Sequence, residues 1–412
     1  MICGLIGEKL SHSYSKRIHN RIADYDYALY SLPPEALAAF LQGEYRGMNV
    51  TIPYKKAVIP FCDTLSDTAR TIGSVNTLVR DKDGLLHGYN TDSAGFLSMA
   101  ARAGISFQDK KVLILGTGGT SLTVSYAVRQ AGARETVLVS RNGPIHYENV
   151  SEKAGDAQIL VNTTPCGMFP HNGGRLLDLS KFPLCCGVLD VVYNPLRTQL
   201  ILDAQALGIP CSGGLPMLVA QAVEASRLFT GTPLPTETTE TVLRELLAEA
   251  ENIVLIGMPG SGKSSVGAAV AERLNRELLD TDLLIEKSAG MRIPEIFARF
   301  GEAEFRKLER TICAECGKQT GKVIATGGGA PLFPENVAAL RQNGRVYLLT
   351  RALSDLATEG RPLSKDTATL AVMEQERLPF YQAASDQTIR NHASVPAAAL
   401  AIEEDFYEAT RS

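Results

Sequence analysis

Short apolar runs alternate with helical periodicity along most of the chain, the pattern of strands and helices packed in α/β layers. This holds from Met1 to about Ala100, where Met48–Ile52 reads as a strand ended by Pro53. Lys110–Ala127 (KKVLILGTGGTSLTVSYA) reads as strand, glycine turn and helix. ETVLVSRN is the next strand and DAQILVNTTPCGM (Asp156–Met168) another, ending in a polar turn, after which GVLDVVYNPLRTQLI follows. Gly208–Phe229 ends in a helix with Gly214, Met217 and Gln221 at its start. Val242, Leu243, Leu246, Leu247 and Ala250 then share one helical face, with Thr238 or Thr239 as cap. Only Glu251 and Asn252 separate that helix from IVLIG (Ile253–Gly257), a buried strand opening a last group that includes VIATGGGAPLF and RVYLLTRA. No Gly/Ser- or Pro-rich linker joins the two parts, which predicts restrained relative motion.

A chain of 412 residues exceeds one ordinary core, so two or three domains are expected. With 45% apolar and 21% charged residues it has soluble globular composition. Its net charge of −4 gives neither nucleic acid nor an anionic membrane an electrostatic footing. No apolar run reaches the ~18 residues of a membrane span. The opening MICGLIG is too short for a signal peptide and reads as a first strand. Eight cysteines include the neighbours Cys185 and Cys186 and a Cys313-x-x-Cys316 pair, with no second pair to complete a zinc site. Reduced, buried thiols and a cytoplasmic location are the expectation.

Candidate chemistry in the first 250 residues gathers at turns. Ser13 and Ser15 stand two apart before a helix beginning near Lys16, either as helix caps or as donors for a substrate carboxylate. His12 and His19 have no matching metal partners and read as structural. Lys55 follows Pro53 at a predicted helix start, where the dipole would ease proton exchange; a solvated lysine is the alternative. IGSVNTLV and HGYNTDSAGF put Asn76, Asn90, Thr91 and Asp92 at strand-to-helix turns facing a cleft. Asp92 either caps the helix after it or forms with Lys55 a proton-handling pair beside a hydroxyl or carbonyl. Gly116-Thr-Gly118-Gly119-Thr120-Ser121 is a variant dinucleotide turn. Where an NAD site carries an acidic residue at the end of the next strand, this chain has Ser140-Arg141; an arginine there suits the 2′-phosphate of NADP, or is a solvated loop residue.

Over nearly all of residues 1–250 the ordered motifs SHSYS, NVTIPYK, GSVNT, GYNTDSAG, GTGGTS, NTTPCGM, DVVYNPLRT and GLPMLVAQA resemble the shikimate dehydrogenase family. The resemblance implies a two-lobed α/β fold. Residues 1–98 with 214–250 would form the substrate domain and 99–213 a Rossmann-like NADP domain, with the helix Pro216–Phe229 crossing back to the first. It implies that Ser13, Ser15, Thr51, Asn76, Asp92, Tyr193 and Gln221 hold shikimate or 3-dehydroshikimate, and that Lys55 and Asp92 are the catalytic pair. Gly116, Gly118, Gly119, Thr120, Ser140, Arg141, Gly214 and Met217 would line the NADP(H) site. The chain departs from the family at Lys16, where proline is usual, and at GEKLS, which replaces an Asn-Pro before the His-Ser. The span Arg141–Asn162 is also short by about one β/α unit of ~30 residues.

In the second part Gly257-Met-Pro-Gly260-Ser261-Gly262-Lys263-Ser264 fits the phosphate-loop pattern, between a strand and a helix expected after Ser264. Gly260 and Gly262 let backbone N–H groups converge on phosphate oxygens, Lys263 supplies a point charge, and Ser264 can ligate Mg²⁺. Asp280 and Asp282 alternate along a strand end and so face one side; helix capping accounts for one of them at most. Asp280 could orient Mg²⁺ waters, and Asp282 could accept from substrate hydroxyls. Phe305, Leu308 and Ile312 mark the core face, and Arg306 and Glu309, one turn apart on its flank, read as an ordinary surface ion pair. The triple glycine of ATGGGA permits close backbone approach by a ligand, and Arg361 and Arg377 stand at polar turns.

From residue 252 to about 405, GMPGSGKSSVG, DTD, EIFARFGEAEFRKLE, ATGGGA, GRPL and RLPFY resemble the shikimate kinase family. That implies a P-loop, NMP-kinase-like α/β domain with a parallel sheet over residues 251–412. Gly260, Ser261, Gly262, Lys263, Ser264, Ser265 and the lid residue Arg361 would bind ATP, with Ser264 and Asp280 at Mg²⁺. Asp282, Arg306, Gly328 and Arg377 would hold shikimate, the arginines on its carboxylate, and Lys263 and Asp282 would be catalytic. The lid, Ala357–Ser364, is short and lacks a second arginine often found in the family. The two resemblances together imply NADPH-dependent reduction of 3-dehydroshikimate followed by ATP-dependent phosphorylation of shikimate. A quinate/shikimate dehydrogenase using NAD, or a non-catalytic binding or regulatory module in one half, are the alternatives.

Overall fold

The computed structural model describes residues 1–10, 14–352, 367–392 and 394–410; Ser13 and Arg361 lie outside them. Packing divides the chain into two units. The first is Met1–Met168, Gly174–Asn194 and Asp203–Leu243; the second is Phe169–Gly173, Pro195–Leu202 and Arg244–Ser412. The division falls inside the helix Thr238–Ala250.

The first unit contains two sheets. Strands β1 (Ile2–Gly7), β2 (Asp26–Ser31), β3 (Gly47–Val50), β4 (Thr64–Leu65), β5 (Thr77–Arg80) and β6 (Leu86–Tyr89) form one, in the order β2-β1-β3-β5-β6-β4. Only β5 runs against its neighbours, pairing antiparallel with β3 and β6. Sequence chemistry sets the β5–β6 hairpin: the Asp81 carboxylate accepts from the Asp83 and Leu85 N–H groups, and Gly84 supplies φ +85°. The second sheet is wholly parallel, in the order β11-β10-β9-β7-β8. Its strands are β7 (Lys111–Leu115), β8 (Glu135–Val139), β9 (Ile159–Asn162), β10 (Gly187–Asp190) and β11 (Cys211–Ser212). Strand order reverses between β7 and β9, the place where open α/β sheets bind ligands. Strand β8 is an edge, Leu138 is 40% exposed, and only the five-residue helix Val150–Ala154 stands between β8 and β9. The sheet is therefore one β/α unit short at that side, where the sequence is short.

Two helices of this unit pack on the second sheet, and one of them also on the first. Phe96 and Met99 of Asp92–Arg102, and Met217 of Leu215–Thr230, pack with Val112 and Ile114 of β7. At its far end Leu215–Thr230 returns to the first sheet: Phe229 packs with Cys3, Leu5 and Tyr27, and Arg46 Nε donates to its carbonyl at 2.8 Å. The two helices approach closely at Gly95, where a Cβ would press on the Met217 carbonyl at 2.6 Å.

The second unit is built on a parallel sheet of order β13-β14-β12-β15-β16. These strands are β12 (Asn252–Ile256), β13 (Leu278–Asp280), β14 (Val323–Ala325), β15 (Gly344–Thr350) and β16 (Gln387–Arg390). Alternate residues of the central β12 enter opposite cores: Val254 and Ile256 pack with Cys313, Ile324 and Leu348, while Ile253 and Leu255 pack with Val266, Val270 and Phe406. All eight cysteines are free thiols. Among the described residues no helix is long and apolar enough to cross a membrane.

Gly47 in β3 leaves room for the Phe229 ring, into which any Cβ would intrude. Gly47→Ala should overpack this seam at a cost of about 1–3 kcal/mol. The expected result in calorimetry is a lowered melting temperature; an unchanged one would mean that the seam is looser than its geometry.

Candidate active sites

The first site gathers at one edge of the β3–β5–β6 sheet. Lys55 was expected at a helix start, but residues 52–58 form successive turns leading to the 3₁₀ helix Ile59–Phe61. The Lys55 carbonyl is taken by the Val75 N–H at 2.8 Å, across to the segment before β5, so it cannot serve a helical ladder. Lys55 therefore opens no helix of its own. Its partner is Asp92: Nζ donates to Oδ2 at 2.6 Å. Asp92 opens the helix Asp92–Arg102 without capping it, and its other oxygen accepts from Asn76 Nδ2 at 2.9 Å. Asn76 itself precedes β5 after the helix Asp67–Ile72, a helix-to-strand connection and not the strand-to-helix turn expected. The Thr91 N–H, an obligate donor, holds Asn76 Oδ1 at 2.7 Å and so fixes which way that amide points. Gln221 Oε1 faces the same group, 3.4 Å from Thr91 Oγ1 and 3.5 Å from Asn76 Nδ2.

Ser15 is buried as the first residue of the helix Ser15–Ile22, and Tyr14, at the cap position, makes no side-chain cap. The Tyr193 ring, which follows β10, meets Tyr14 edge-on at 5.5 Å, bringing the second sheet's loop to the start of this helix. Burial raises the Tyr193 phenol's pKa. Thr51 leaves β3 with its N–H on the Ile6 carbonyl at 2.9 Å.

The glycine turn lies at the end of β7. Gly116 has φ +108°, and a Cβ there would strike Thr163 and Thr164 at the end of β9. Gly118 and Gly119, by contrast, have open space where a Cβ would be. The helix Gly119–Gln130 starts there without a side-chain cap, so its first N–H groups face that space. Thr120 is half-buried, Ser140 follows the neighbouring β8, and Arg141 is exposed. A cradle open above two glycines, at the switch point, with a cation one strand away, fits a dinucleotide phosphate. Gly214 is the N-terminal cap residue of Leu215–Thr230, and the Met217 side chain is buried in the core beside this cradle.

The second site is a cavity of about 390 Å³ above β12. Gly257, Gly260 and Gly262 take φ of +142°, +87° and +94°, and the helix Lys263–Leu274 begins two residues earlier than expected. Lys263 Nζ folds back to the carbonyls of Gly257 (3.0 Å) and Met258 (2.9 Å). Ser261 is buried, held by Asn391 Nδ2 on its carbonyl at 2.8 Å, while Ser264 and Ser265 are exposed. The two aspartates do not alternate along a strand: Asp280 ends β13 and Asp282 lies within the helix Thr281–Ala289. Asp280 Oδ1 caps that helix, accepting from Asp282 N (3.0 Å) and Leu283 N (3.3 Å). Capping wins here because the helix begins immediately after the strand. Asp280 Oδ2 is left for Ser264 Oγ, which donates at 2.6 Å, and these two hard oxygens beside a phosphate loop suit Mg²⁺.

The three glycines of ATGGGA make room for the site's own side chains. A Cβ on Gly327 would meet Asp282 Oδ1 at 2.6 Å, one on Gly328 would meet Pro259 at 2.8 Å, and one on Gly329 would overlap Arg306. Arg306 is no surface residue. Its guanidinium bonds Glu309 at 2.8 Å and Glu302 at 2.9 Å, and Glu309 is 1% exposed. Burial pushes the Glu309 carboxyl's pKa up against the pull of Arg306. The sequence reading did not assign Glu309 to the site, yet a signal existed: it falls in the buried stripe Phe305, Glu309, Cys313, Cys316, where a charge needs a partner. Non-helical Gly301 (φ +79°) breaks the helix Ile293–Lys318 just before this stripe. Arg377 Nη1 donates to the Gly328 carbonyl at 3.3 Å, and Tyr381 donates to the same oxygen at 2.6 Å. Arg351, after β15, also lines the cavity, a position the sequence reading left unassigned.

Three family models match the chain. Residues 5–78 match the shikimate dehydrogenase substrate binding domain, 214–244 the shikimate 5'-dehydrogenase C-terminal domain, and 259–409 shikimate kinase. A shikimate dehydrogenase (NADP(+)) from Clostridium perfringens is 36% identical over 271 residues, 59% of this chain and 97% of that protein. A chorismate mutase/shikimate 5-dehydrogenase fusion protein from Clostridium acetobutylicum matches with TM-score 0.56 at 30% identity, covering 60% of this chain and 96% of that one. The shikimate 5-dehydrogenase of Thermus thermophilus, solved with NADP(H) and shikimate, matches with TM-score 0.53 at 31% identity, covering 60% and 99%.

The double duty of Asp280 separates in two variants. Asp280→Ala should cost about 1 kcal/mol through loss of the cap, whereas Asp280→Asn keeps a capping oxygen and should melt as wild type. Both should raise the Mg²⁺ concentration needed for half-maximal phosphoryl transfer, measured by Mg²⁺ titration; unchanged titrations would remove Asp280 from the metal site.

Proposed function

The chain belongs to the shikimate dehydrogenase family and carries a shikimate kinase domain behind it, and on that premise we propose how its two sites work. It is a bifunctional shikimate-pathway enzyme acting on small molecules with NADP(H) and ATP. We assign residues 1–98 with 214–250 to the dehydrogenase substrate lobe, 99–213 to the NADP lobe and 251–412 to the kinase. The return of Phe229 to the first sheet supports the first of these assignments.

In the dehydrogenase, 3-dehydroshikimate is reduced to shikimate. The observation that carries this reading is the 2.6 Å Lys55–Asp92 pair, aligned through Asn76 and facing Gln221. Bound NADPH would supply the hydride to the ketone carbon. Lys55 offers its N–H to the ketone oxygen and gives up a proton as that oxygen becomes a hydroxyl, while Asp92 holds the ammonium in line. Ser13, Ser15, Thr51, Tyr193 and Gln221 bind the ring substituents. The glycine turn with Thr120, Ser140 and Arg141 takes the dinucleotide, Arg141 favouring the 2′-phosphate, and Gly214 and Met217 complete that side.

In the kinase, the shikimate 3-hydroxyl attacks the ATP γ-phosphate. Mg²⁺ held by Ser264 and Asp280 would offset phosphate charge. Lys263 and the loop N–H groups of Gly260–Ser265 bind the phosphates, and Asp282 orients or deprotonates the hydroxyl. Arg306 and Arg377, beside Gly328, take the substrate carboxylate, with Glu309 holding Arg306 in place. Arg361 is assigned to the lid by motif alone. The free thiols and the net charge of −4 support a cytoplasmic protein without nucleic-acid or membrane partners.

Lys55→Ala should lower 3-dehydroshikimate reduction at least ~100-fold while leaving phosphorylation of supplied shikimate intact, and Lys263→Ala should do the reverse. Parallel assays of NADPH oxidation and ADP release on one preparation test this. Loss of both activities in either variant would refute two independent sites.

A further inference from the structure

Beneath the dehydrogenase cleft lies a buried polar path through Tyr27, Asn49 and Thr77, residues to which the reaction above gives no role. Tyr27, on β2, is 4% exposed, and its ring stacks on the wholly buried His19 at 4.0 Å and 8°. His19 Nδ1 meets Tyr25 OH at 2.6 Å, and burial lowers the histidine to about 3, so this stack is uncharged at neutral pH. The Tyr27 hydroxyl donates to Asn49 Oδ1 at 2.7 Å and is hydrogen-bonded with the Ser15 side chain. Asn49 Nδ2 is turned towards Thr77 Oγ1 (3.2 Å) and the Asn76 carbonyl (3.5 Å), and Thr77 Oγ1 donates to Asn76 Oδ1 at 3.1 Å. From Asn76 the path reaches Asp92 and Lys55.

The Asn76 amide is pinned by a backbone N–H, and the Asn49 amide is oriented by the Asn76 carbonyl, which can only accept, so that its oxygen faces the Tyr27 hydroxyl and the His19 ring. A phenylalanine would fill the same space without burying a hydroxyl, so packing alone does not call for a tyrosine. We propose that Tyr27 is a positioning residue of the dehydrogenase: its hydroxyl ties the Ser15 side of the substrate cleft to the Asn49–Thr77–Asn76 side and thereby aligns Asp92 and Lys55. The proposal rests on Lys55 and Asp92 being the reducing pair.

Tyr27→Phe in the full chain removes one oxygen and keeps the ring on His19. It should lower kcat/KM for 3-dehydroshikimate about tenfold, mainly through kcat, because the direct substrate donors remain while the reacting pair loses its alignment. Phosphorylation of supplied shikimate by the same sample should be unchanged and normalises for the kinase unit, while an unchanged KM for 3-dehydroshikimate and an unchanged number of shikimate-binding sites on the first unit normalise for folded dehydrogenase. Thr77→Val should produce the same kcat-weighted loss, and it carries the test if Tyr27→Phe does not yield soluble protein. The double variant should be no worse than the poorer single one, as expected for one path. Wild-type reduction by either variant, additive losses, or parallel loss of both activities would overturn the proposal. Lys55→Ala in the same assay separates the two readings: if it still reduces substrate, the catalytic assignment is what fails. If it is inactive while Tyr27→Phe matches wild type, the positioning role fails alone.

Discussion

Burial of the sheets is the constraint on which both sites depend. Four of the five β7 residues and all of β12 are at most 2% exposed, leaving no place on the strands themselves for groups that must meet water or ligand. The chemistry is therefore displaced to the strand ends. Asp92 follows β6, Gly116 follows β7, Tyr193 follows β10, the phosphate loop follows β12, and the triple glycine follows β14. Asn76 fits the same rule from the other direction. It precedes β5, and because β5 runs antiparallel to β3 and β6, its start lies at the edge where those strands finish, with Asn49, Thr77 and Tyr89 in register.

The two sites hold charge differently, and each arrangement suits its chemistry. Lys55 and Asp92 keep 29% and 16% of their side-chain surface exposed, so neither pays a full desolvation cost and a proton can be returned to the lysine from solvent. Arg306 and Glu309 are far more enclosed, at 13% and 1%. A guanidinium stays protonated in such a place, and the buried carboxylate fixes its direction, which suits a group that binds an anion and exchanges no proton. Close backbone approach makes this compactness possible. The glycines at 327 to 329 admit Asp282, Pro259 and Arg306 to distances that any side chain would block.

Elements whose cause is local were legible from the chain alone. The phosphate loop, the Gly116–Gly119 turn, the fully apolar strands, and the shortened span after Arg141 that leaves β8 at a sheet edge all follow from neighbouring residues, because turn conformation and strand burial are encoded within a few positions. Apolar periodicity likewise marked the helix Thr238–Ala250. The Lys55–Asp92 pairing was legible, but the helix start at Lys55 was not borne out, because the backbone there is tied to Val75, twenty residues away in sequence. Asp280 and Asp282 do not share a strand because a helix begins immediately after Asp280, which takes the one cap the spacing allowed. The burial of Glu309 and the path from Tyr27 to Asp92 were decided by tertiary structure alone, since they pair residues from separate elements and no local spacing encodes such a meeting. The sequence by itself determined which chemical groups the chain carries and which turns could present phosphate-binding N–H groups. The packing of helices across buried sheets decided which of those groups face one another, because only in three dimensions does a buried charge find the partner that makes its burial tolerable.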